Sequence, residues 1–299
     1  MAREILAEDI PKIKRLLSVV FGKEEFTDIS RMGGLTNHTY KVTMSDGKEY
    51  VVRIPGEGTE EMIVRSDEKI STKLACDLNI DAEMLYFGND GSKVTKYIPN
   101  AITMSTEHLR KEKHILQVAE IFKELHSCNV DTGVSFEVFE MATGYEKIIC
   151  DNNVSMFEDY KEKKAEVMQI KCEIDSAINI KKVPCHNDPL CENWVEGNGK
   201  MYLIDWEYAG MNDGMWDIAD VSIEAGFDEE CDLKLLTAYL GHTPDIIDRK
   251  NFLANKIYVD FLWTLWAKAR VPYDGQPMEV WAQERYARLK GFIEDYKKL

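Results

Sequence analysis

The segment His186-Asn187-Asp188-Pro189-Leu190-Cys191-Glu192-Asn193 is followed, across a glycine-containing hairpin, by Ile204-Asp205-Trp206-Glu207. It spaces two carboxylates, Asp188 and Asp205, around one carboxamide, Asn193. That is the inventory of a metal-dependent phosphoryl transfer site, where the protein performs little covalent chemistry. One acid orients and deprotonates the attacking hydroxyl, and oxygen ligands hold Mg²⁺ against the nucleotide phosphates. Asp188 suits the first task. Asn193 and Asp205, the latter at the end of the apolar strand Met201-Tyr202-Leu203-Ile204, suit the second, since hard divalent cations prefer carboxylate and carbonyl oxygens. Taken singly, Asp-Pro reads as a turn and an Asp after a strand as a helix cap. The ordered set, with a hairpin between its parts, reads as a site.

The spacing resembles the protein-kinase catalytic loop His-Arg-Asp-x-x-x-x-Asn and its metal-binding Asp, with Asn187 in place of the arginine and Trp206-Glu207 in place of Phe-Gly. His-Asn-Asp-x-x-x-x-Asn followed by Ile-Asp-Trp-Glu-Tyr is similar to the choline/ethanolamine kinase family and, more distantly, to the aminoglycoside phosphotransferases. The resemblance covers most of the chain, from Gly33 to about Arg288. It implies a bilobal, protein-kinase-like α+β fold: a small N-terminal antiparallel sheet lobe for the nucleotide over residues 1–98, and a larger, mainly helical catalytic and substrate-binding lobe over residues 99–299.

Composition agrees with a folded enzyme. At 299 residues, 44% hydrophobic and 30% charged, the chain can bury a large core and gives no sign of disorder. Acidic residues outnumber basic ones 53 to 37, a formal net charge of −16 that disfavours nucleic acid and anionic membranes as partners and draws in small cations. The seven cysteines are scattered without a Cys-x-x-Cys pair, so neither a disulfide framework nor a zinc site is expected, and a reducing cytoplasmic setting is. No signal-like leader is expected at the N-terminus, and no apolar run reaches the roughly 20 residues that span a bilayer. A monomer or homodimer is expected.

Periodicity supplies the element order. Ile10, Ile13, Leu16, Leu17 and Val20 mark an amphipathic helix from about Asp9, stopped by Gly22. Alternation from Phe26 to Ile54, interrupted by Ser45-Asp46-Gly47, marks a hairpin. A helix from about Thr59 to Leu78 and strands at Met84–Phe87 and Lys93–Tyr97 complete the small lobe. Beyond Pro99 the pattern predicts helices over Leu109–His126, Phe157–Ile178, Asp217–Ala225, Glu229–Leu240, Ile246–Ala269 and Pro277–Lys297, with Val130–Gly144 a loop.

The remaining nucleotide contacts rest on local chemistry joined to the resemblance. Gly33-Gly34-Leu35-Thr36-Asn37 lies between two strands, where glycine lets backbone N–H groups approach phosphate oxygens. By resemblance, Gly33, Gly34, Thr36 and Asn37 form that loop. Arg53 stands where protein kinases carry their phosphate-binding lysine, and its planar fork can hold two oxygens at once. Its acidic partner is expected on the next helix: Glu68 matches best, with Asp67 and Glu61 also near enough. Lys96-Tyr97-Ile98-Pro99 resembles the hinge that meets adenine, implicating Tyr97 and Ile98. His126 reads as a structural histidine.

The acceptor clue is aromatic. Trp263 and Trp266 share one helical face, Trp281 begins Trp-Ala-Gln-Glu-Arg, and Tyr208 follows Asp205 by three residues. A quaternary ammonium has no N–H to donate and is bound against aromatic faces at about 0.5–2 kcal/mol per cation–π contact. Trp-x-x-Trp resembles the family's substrate pocket, with Glu224 the expected counter-charge; Asp217 is expected to cap a helix and support the catalytic segment. The implied reaction is direct transfer from Mg·ATP to choline, with Asp188 also touching the acceptor. Ethanolamine, an aminoglycoside acceptor, or a catalytically silent choline- or nucleotide-binding protein are the alternatives.

Overall fold

The computed structural model describes residues 4–32, 37–56 and 63–299. In chain order it runs α1 (Asp9–Phe21), β1 (Phe26–Arg31), β2 (Asn37–Met44), β3 (Glu49–Pro55), α2 (Arg65–Asp77), β4 (Met84–Phe87), β5 (Lys93–Lys96) and β6 (Ile102–Thr103). Helices α3 (Thr106–Leu109), α4 (Glu112–Ser127), α5 (Val138–Asp151) and α6 (Tyr160–Ala177) follow. Then come β7 (Val183–Cys185), a 3₁₀ turn (Cys191–Asn193), β8 (Trp194–Gly197), β9 (Lys200–Leu203) and β10 (Gly210–Asn212). The chain closes with α7 (Gly214–Glu224), α8 (Glu229–Leu240), α9 (Ile246–Asp274) and α10 (Gln276–Tyr296). Contacts divide it into two compact units, Met1–Met104 with Glu192–Ala209, and Ser105–Cys191 with Gly210–Leu299.

The first unit carries a five-stranded antiparallel sheet in the order β1-β2-β3-β5-β4. The two-residue period of a strand sorts its faces. Tyr50, Val52 and Ile54 of β3, with Tyr40 and Val42 of β2 and Val94 of β5, pack under Ile13, Leu16 and Leu17 of α1. Arg53 and its cross-strand partner Lys93 therefore fall on the opposite face. The α1 end is pinned by Asp9, whose buried carboxylate accepts the Tyr40 hydroxyl at 2.6 Å and pairs with His38 Nδ1 at 2.7 Å. A smaller sheet, β6-β8-β9, turns at Asn198-Gly199, both with positive φ (53° and 81°), the backbone a tight hairpin demands. Gly197 precedes that turn because a Cβ there would lie 2.3 Å from Ile98 Cγ2 and 2.9 Å from the Pro99 carbonyl.

The second unit is helical around α9, a 29-residue helix packed by α10, α5, α7 and α6. Asp245 and Asp248 close a reciprocal capping box at its start. The helix runs five residues past the expected stop at Ala269, with Pro272 in its last turns. The loop expected over Val130–Gly144 holds only for its first part: α5 begins at Val138. Gly144 lies mid-helix with open space where a Cβ would be, so here it is no stop. Likewise α2 begins at Arg65; the expected start at Thr59 and the candidate partner Glu61 lie outside the described residues. Among the described residues no helix is long and apolar enough to cross a membrane.

Candidate active site

In the first unit, the polar face of the sheet gathers charge. Arg53 is 5% exposed, and its Nη1 meets Glu68 Oε1 at 2.6 Å. Nη2 donates to the Gly91 carbonyl at 2.8 Å, and Nη1 also stands 3.5 Å from Asp205 Oδ1. Of the acids expected near Arg53, Glu68 is the one that pairs with it among the described residues, which do not include Glu61. Arg65, which the sequence reading passed over, takes the other Glu68 oxygen at 2.7 Å and approaches Glu207 at 3.5 Å. Burial pulls the Glu68 carboxyl toward the neutral form, yet the Arg53 and Arg65 guanidinium groups hold its pKa below the ordinary value. Glu207 behaves in the opposite way: burial, then the Asp205 charge, push it up to about 7 despite Arg53. Asn37 donates to Glu207 at 3.2 Å. Gly33, Gly34 and Thr36 lie outside the described residues.

Asn193 and Asp205 are brought side by side by the β8–β9 pairing, which continues as Ile204 N–H donating to the Asn193 carbonyl at 2.9 Å. Asp205 has φ 70°, an unfavourable conformation for a non-glycine residue and one that clusters at functional sites. Among the described residues, its buried Oδ1 has no hydrogen-bond donor. An oxygen left without a donor beside a carboxamide fits a divalent-cation ligand set. Trp206, 1% exposed, fixes the turn by donating Nε1–H to Leu203. Tyr208, half-buried, also belongs to this unit. Of the two hinge candidates, Tyr97 commits its N–H to the Glu49 carbonyl at 3.2 Å, while Ile98 lies beyond the sheet pairing, against Gly197.

In the second unit, Asp188 is presented by a loop held through its main chain. Asp217 accepts the N–H groups of His186 (2.8 Å) and Asn187 (2.7 Å) with its two oxygens, and one oxygen also meets His126 Nε2 at 3.1 Å. The cap of α7 is Asp213, which accepts from Met215 N–H; Asp217 supports the loop as expected but does not cap. Asn187, fully buried with φ 67°, accepts from Asn212 at 3.0 Å, and its carbonyl accepts the Trp216 indole N–H at 3.0 Å. Asparagine tolerates that left-handed backbone better than most residues. His126 Nδ1 meets Tyr239 Oη at 2.8 Å. The ligating atoms of His126, Cys185 and Asp217 lie within 4.8 Å of one another. Burial and Asp217 push the Cys185 thiol well up, and the other two side chains are occupied, so this group is a structural knot.

The aromatic candidates also lie in this unit. Trp263 and Trp266 meet edge to face at 6.2 Å, and Trp266 and Trp281 do so at 5.7 Å. Trp263 is buried behind, while Trp266 and Trp281 are half-buried. The Arg285 guanidinium lies 4.2 Å over the Trp281 ring and pairs with both Glu224 and Asp260. Arg288 binds the same Asp260 at 2.6 Å. Glu224 thus stands at the aromatic cluster, but already holding an arginine. Arg285 sits 61 residues from Glu224, and no local pattern announces such a pair.

A kinase-like fold carrying this set of residues defines a phosphotransferase of the class that modifies small molecules. The family profile of the choline/ethanolamine kinases matches residues 29–267, and the chain belongs to that family. A solved choline/ethanolamine kinase family protein from Mesorhizobium loti is 30% identical and superposes with a TM-score of 0.84 over 95% of this chain and 94% of its own. Choline kinase LicA from Streptococcus pneumoniae is 27% identical with a TM-score of 0.80, over 97% of this chain and all of its own. LicA in complex with AMP is likewise 27% identical, with a TM-score of 0.77 over 96% and 98% of the two chains.

Proposed function

We propose that the protein transfers the γ-phosphoryl group of ATP directly to the hydroxyl of choline. The observation that carries the acceptor is the tryptophan chain Trp263–Trp266–Trp281, joined through Arg285 to Glu224. Aromatic faces suit a nitrogen whose substituents are all methyl groups. The likeness to LicA, named a choline kinase, supports the same acceptor, and its AMP complex supports an adenine nucleotide as donor.

Asp188 orients the acceptor hydroxyl and receives its proton late, as the new oxygen–phosphorus bond forms and the bond to the departing ADP oxygen breaks. Arg53, held by Glu68, and the glycine loop with Asn37 bind phosphate oxygens. Tyr97 and Ile98 line the adenine side, and Tyr208 completes the acceptor contacts. Asn193 and Asp205 would hold Mg²⁺, which neutralises phosphate charge when bound. Residues 1–98 serve the nucleotide and 99–299 the acceptor, apart from the Asn193–Tyr208 stretch that the first unit contributes.

A coupled ADP-release assay with choline, ethanolamine and kanamycin tests this. Choline is expected to give the highest kcat/KM. Preference for ethanolamine or kanamycin would replace the acceptor, and no ADP above background would make the protein a silent binder.

A further inference from the structure

Helix α7 and its N-cap residue carry Asp213, Asp217, Asp220 and Glu224, spaced so that all four fall along one side. Three have donors. Asp213 takes Met215 N–H at 2.9 Å and the carboxamides of Asn251 and Asn255 at 3.3 and 3.2 Å. Asp217 holds the catalytic loop, and Glu224 holds Arg285. Asp220 is 1% exposed, and among the described residues neither of its oxygens has a hydrogen-bond donor. Burying a carboxylate in this way is costly, and native proteins meet such groups with a partner.

The charges acting on Asp220 make the gap specific. After burial itself, the carboxylates of Glu224 and Asp188 drive its pKa well up, and Arg285 opposes them. That arginine is already shared between Glu224 and Asp260. Carboxyl groups therefore outnumber the guanidinium that reaches them here, and Asp220 is the one that a cation would meet with its charge uncompensated. We propose that Asp220 is a specificity-determining residue that supplies the counter-charge for the cationic nitrogen of the acceptor. The inference rests on reading this unit as the site of a cationic alcohol. In such a molecule two carbons separate hydroxyl from nitrogen. Asp220 stands one helical turn from Asp217, which holds the Asp188 loop, and one from Glu224, whose Arg285 lies over Trp281, so a hydroxyl held at Asp188 directs the nitrogen toward this stretch of α7. Glu224, neutralised by Arg285, then orients the guanidinium that stacks on Trp281, and Asp220 faces the cation.

The test is steady-state kinetics of Asp220→Asn with choline, with ethanolamine, and with the uncharged isostere of choline in which a tert-butyl group replaces trimethylammonium. The KM for both cations is expected to rise about tenfold or more, since a buried charge loses its partner. Turnover of the neutral isostere and the KM for ATP are expected to stay unchanged. The melting temperature is expected to hold, because a carboxamide of the same shape replaces a buried carboxyl that its surroundings already push toward the neutral form. Asp220→Ser repeats the measurement with a smaller side chain. Equal losses on choline and on the isostere, or a lowered melting temperature with a raised KM for ATP, would make Asp220 structural and overturn the inference. Wild-type protein that turns over neither cation would overturn the acceptor reading itself, whereas wild-type turnover with an unchanged choline KM in Asp220→Asn overturns this inference alone.

Discussion

In the first unit, Arg53 and Arg65 share the two oxygens of one buried glutamate, Glu68, so the charges proposed to face the nucleotide are paired before anything binds. In the second unit, α7 buries Asp220 with no donor on either oxygen among the described residues, next to a glutamate whose arginine is already taken. Under the proposed function, the contrast follows from what each half handles. A polyphosphate brings negative charge and needs preset cations, whereas a cationic acceptor brings the missing charge itself. Preorganisation on one side and an unfilled partner on the other are two forms of complementarity to a ligand.

Four substitutions press on that contrast. Asp188→Asn has the largest expected effect: the hydroxyl loses its proton acceptor, turnover falls by roughly 10²–10⁴-fold, and AMP binding survives. Retained turnover in an ADP-release assay would dismiss Asp188 as the base. Asp217→Ala strips the loop of its anchor. Two buried N–H groups lose their acceptor, so urea unfolding is expected to register a loss of about 3–5 kcal/mol, with turnover down about 10²-fold through misplacement of Asp188. An unfolding midpoint like that of the wild type would mean the loop holds itself. Arg53→Lys keeps the charge but loses the fork, so the KM for ATP is expected to rise roughly tenfold while the KM for choline stays put. A matching rise for choline would erase the division of labour between the units.

The last effect is on pH dependence and leaves the reaction itself untouched. Asp81 in the first unit is buried and pushed up to about 6, burial outweighing the attraction of Lys93. A carboxyl whose folded pKa lies above its unfolded value favours the folded state while protonated. Its contribution is therefore present at low pH and is lost as pH rises from the ordinary value, 3.8, through about 6. Asp81→Asn cannot titrate, so its stability relative to wild type is expected to be near zero at acid pH and to grow to about 2–3 kcal/mol in its favour at neutral pH. Urea melts across that range check it; a flat difference would mean Asp81 is ionised throughout.

The arrangement of Asp188, Asn193 and Asp205 as a candidate site could be proposed from sequence because it is local: spacing and a hairpin fix it. Trp263 and Trp266 were legible for the same reason, three residues apart on one helix. Asp213 and Asp217 could not be told apart, since an Asp near a helix start reads as a cap whether it binds its own helix or a distant loop. Arg65 and Arg285 were invisible as partners because tertiary packing decides which acid each meets. Helix α5 was hidden behind Gly133 and Gly144, the second of which only the fold reveals as harmless. Asp220 had a sequence signal in the spacing of the four α7 acids, but only burial distinguishes it from its neighbours.

Asp217 holds peptide groups of the catalytic loop, and this has a consequence for how such a protein changes over generations. An anchor that grips main chain is indifferent to much of what the loop displays. The helix that carries the anchor also carries Asp220 and Glu224 one and two turns further on, so under the proposed roles acceptor preference can drift at those positions while the base stays where it is. Conservation of the reaction and divergence of its substrate would thereby be written into successive turns of a single helix.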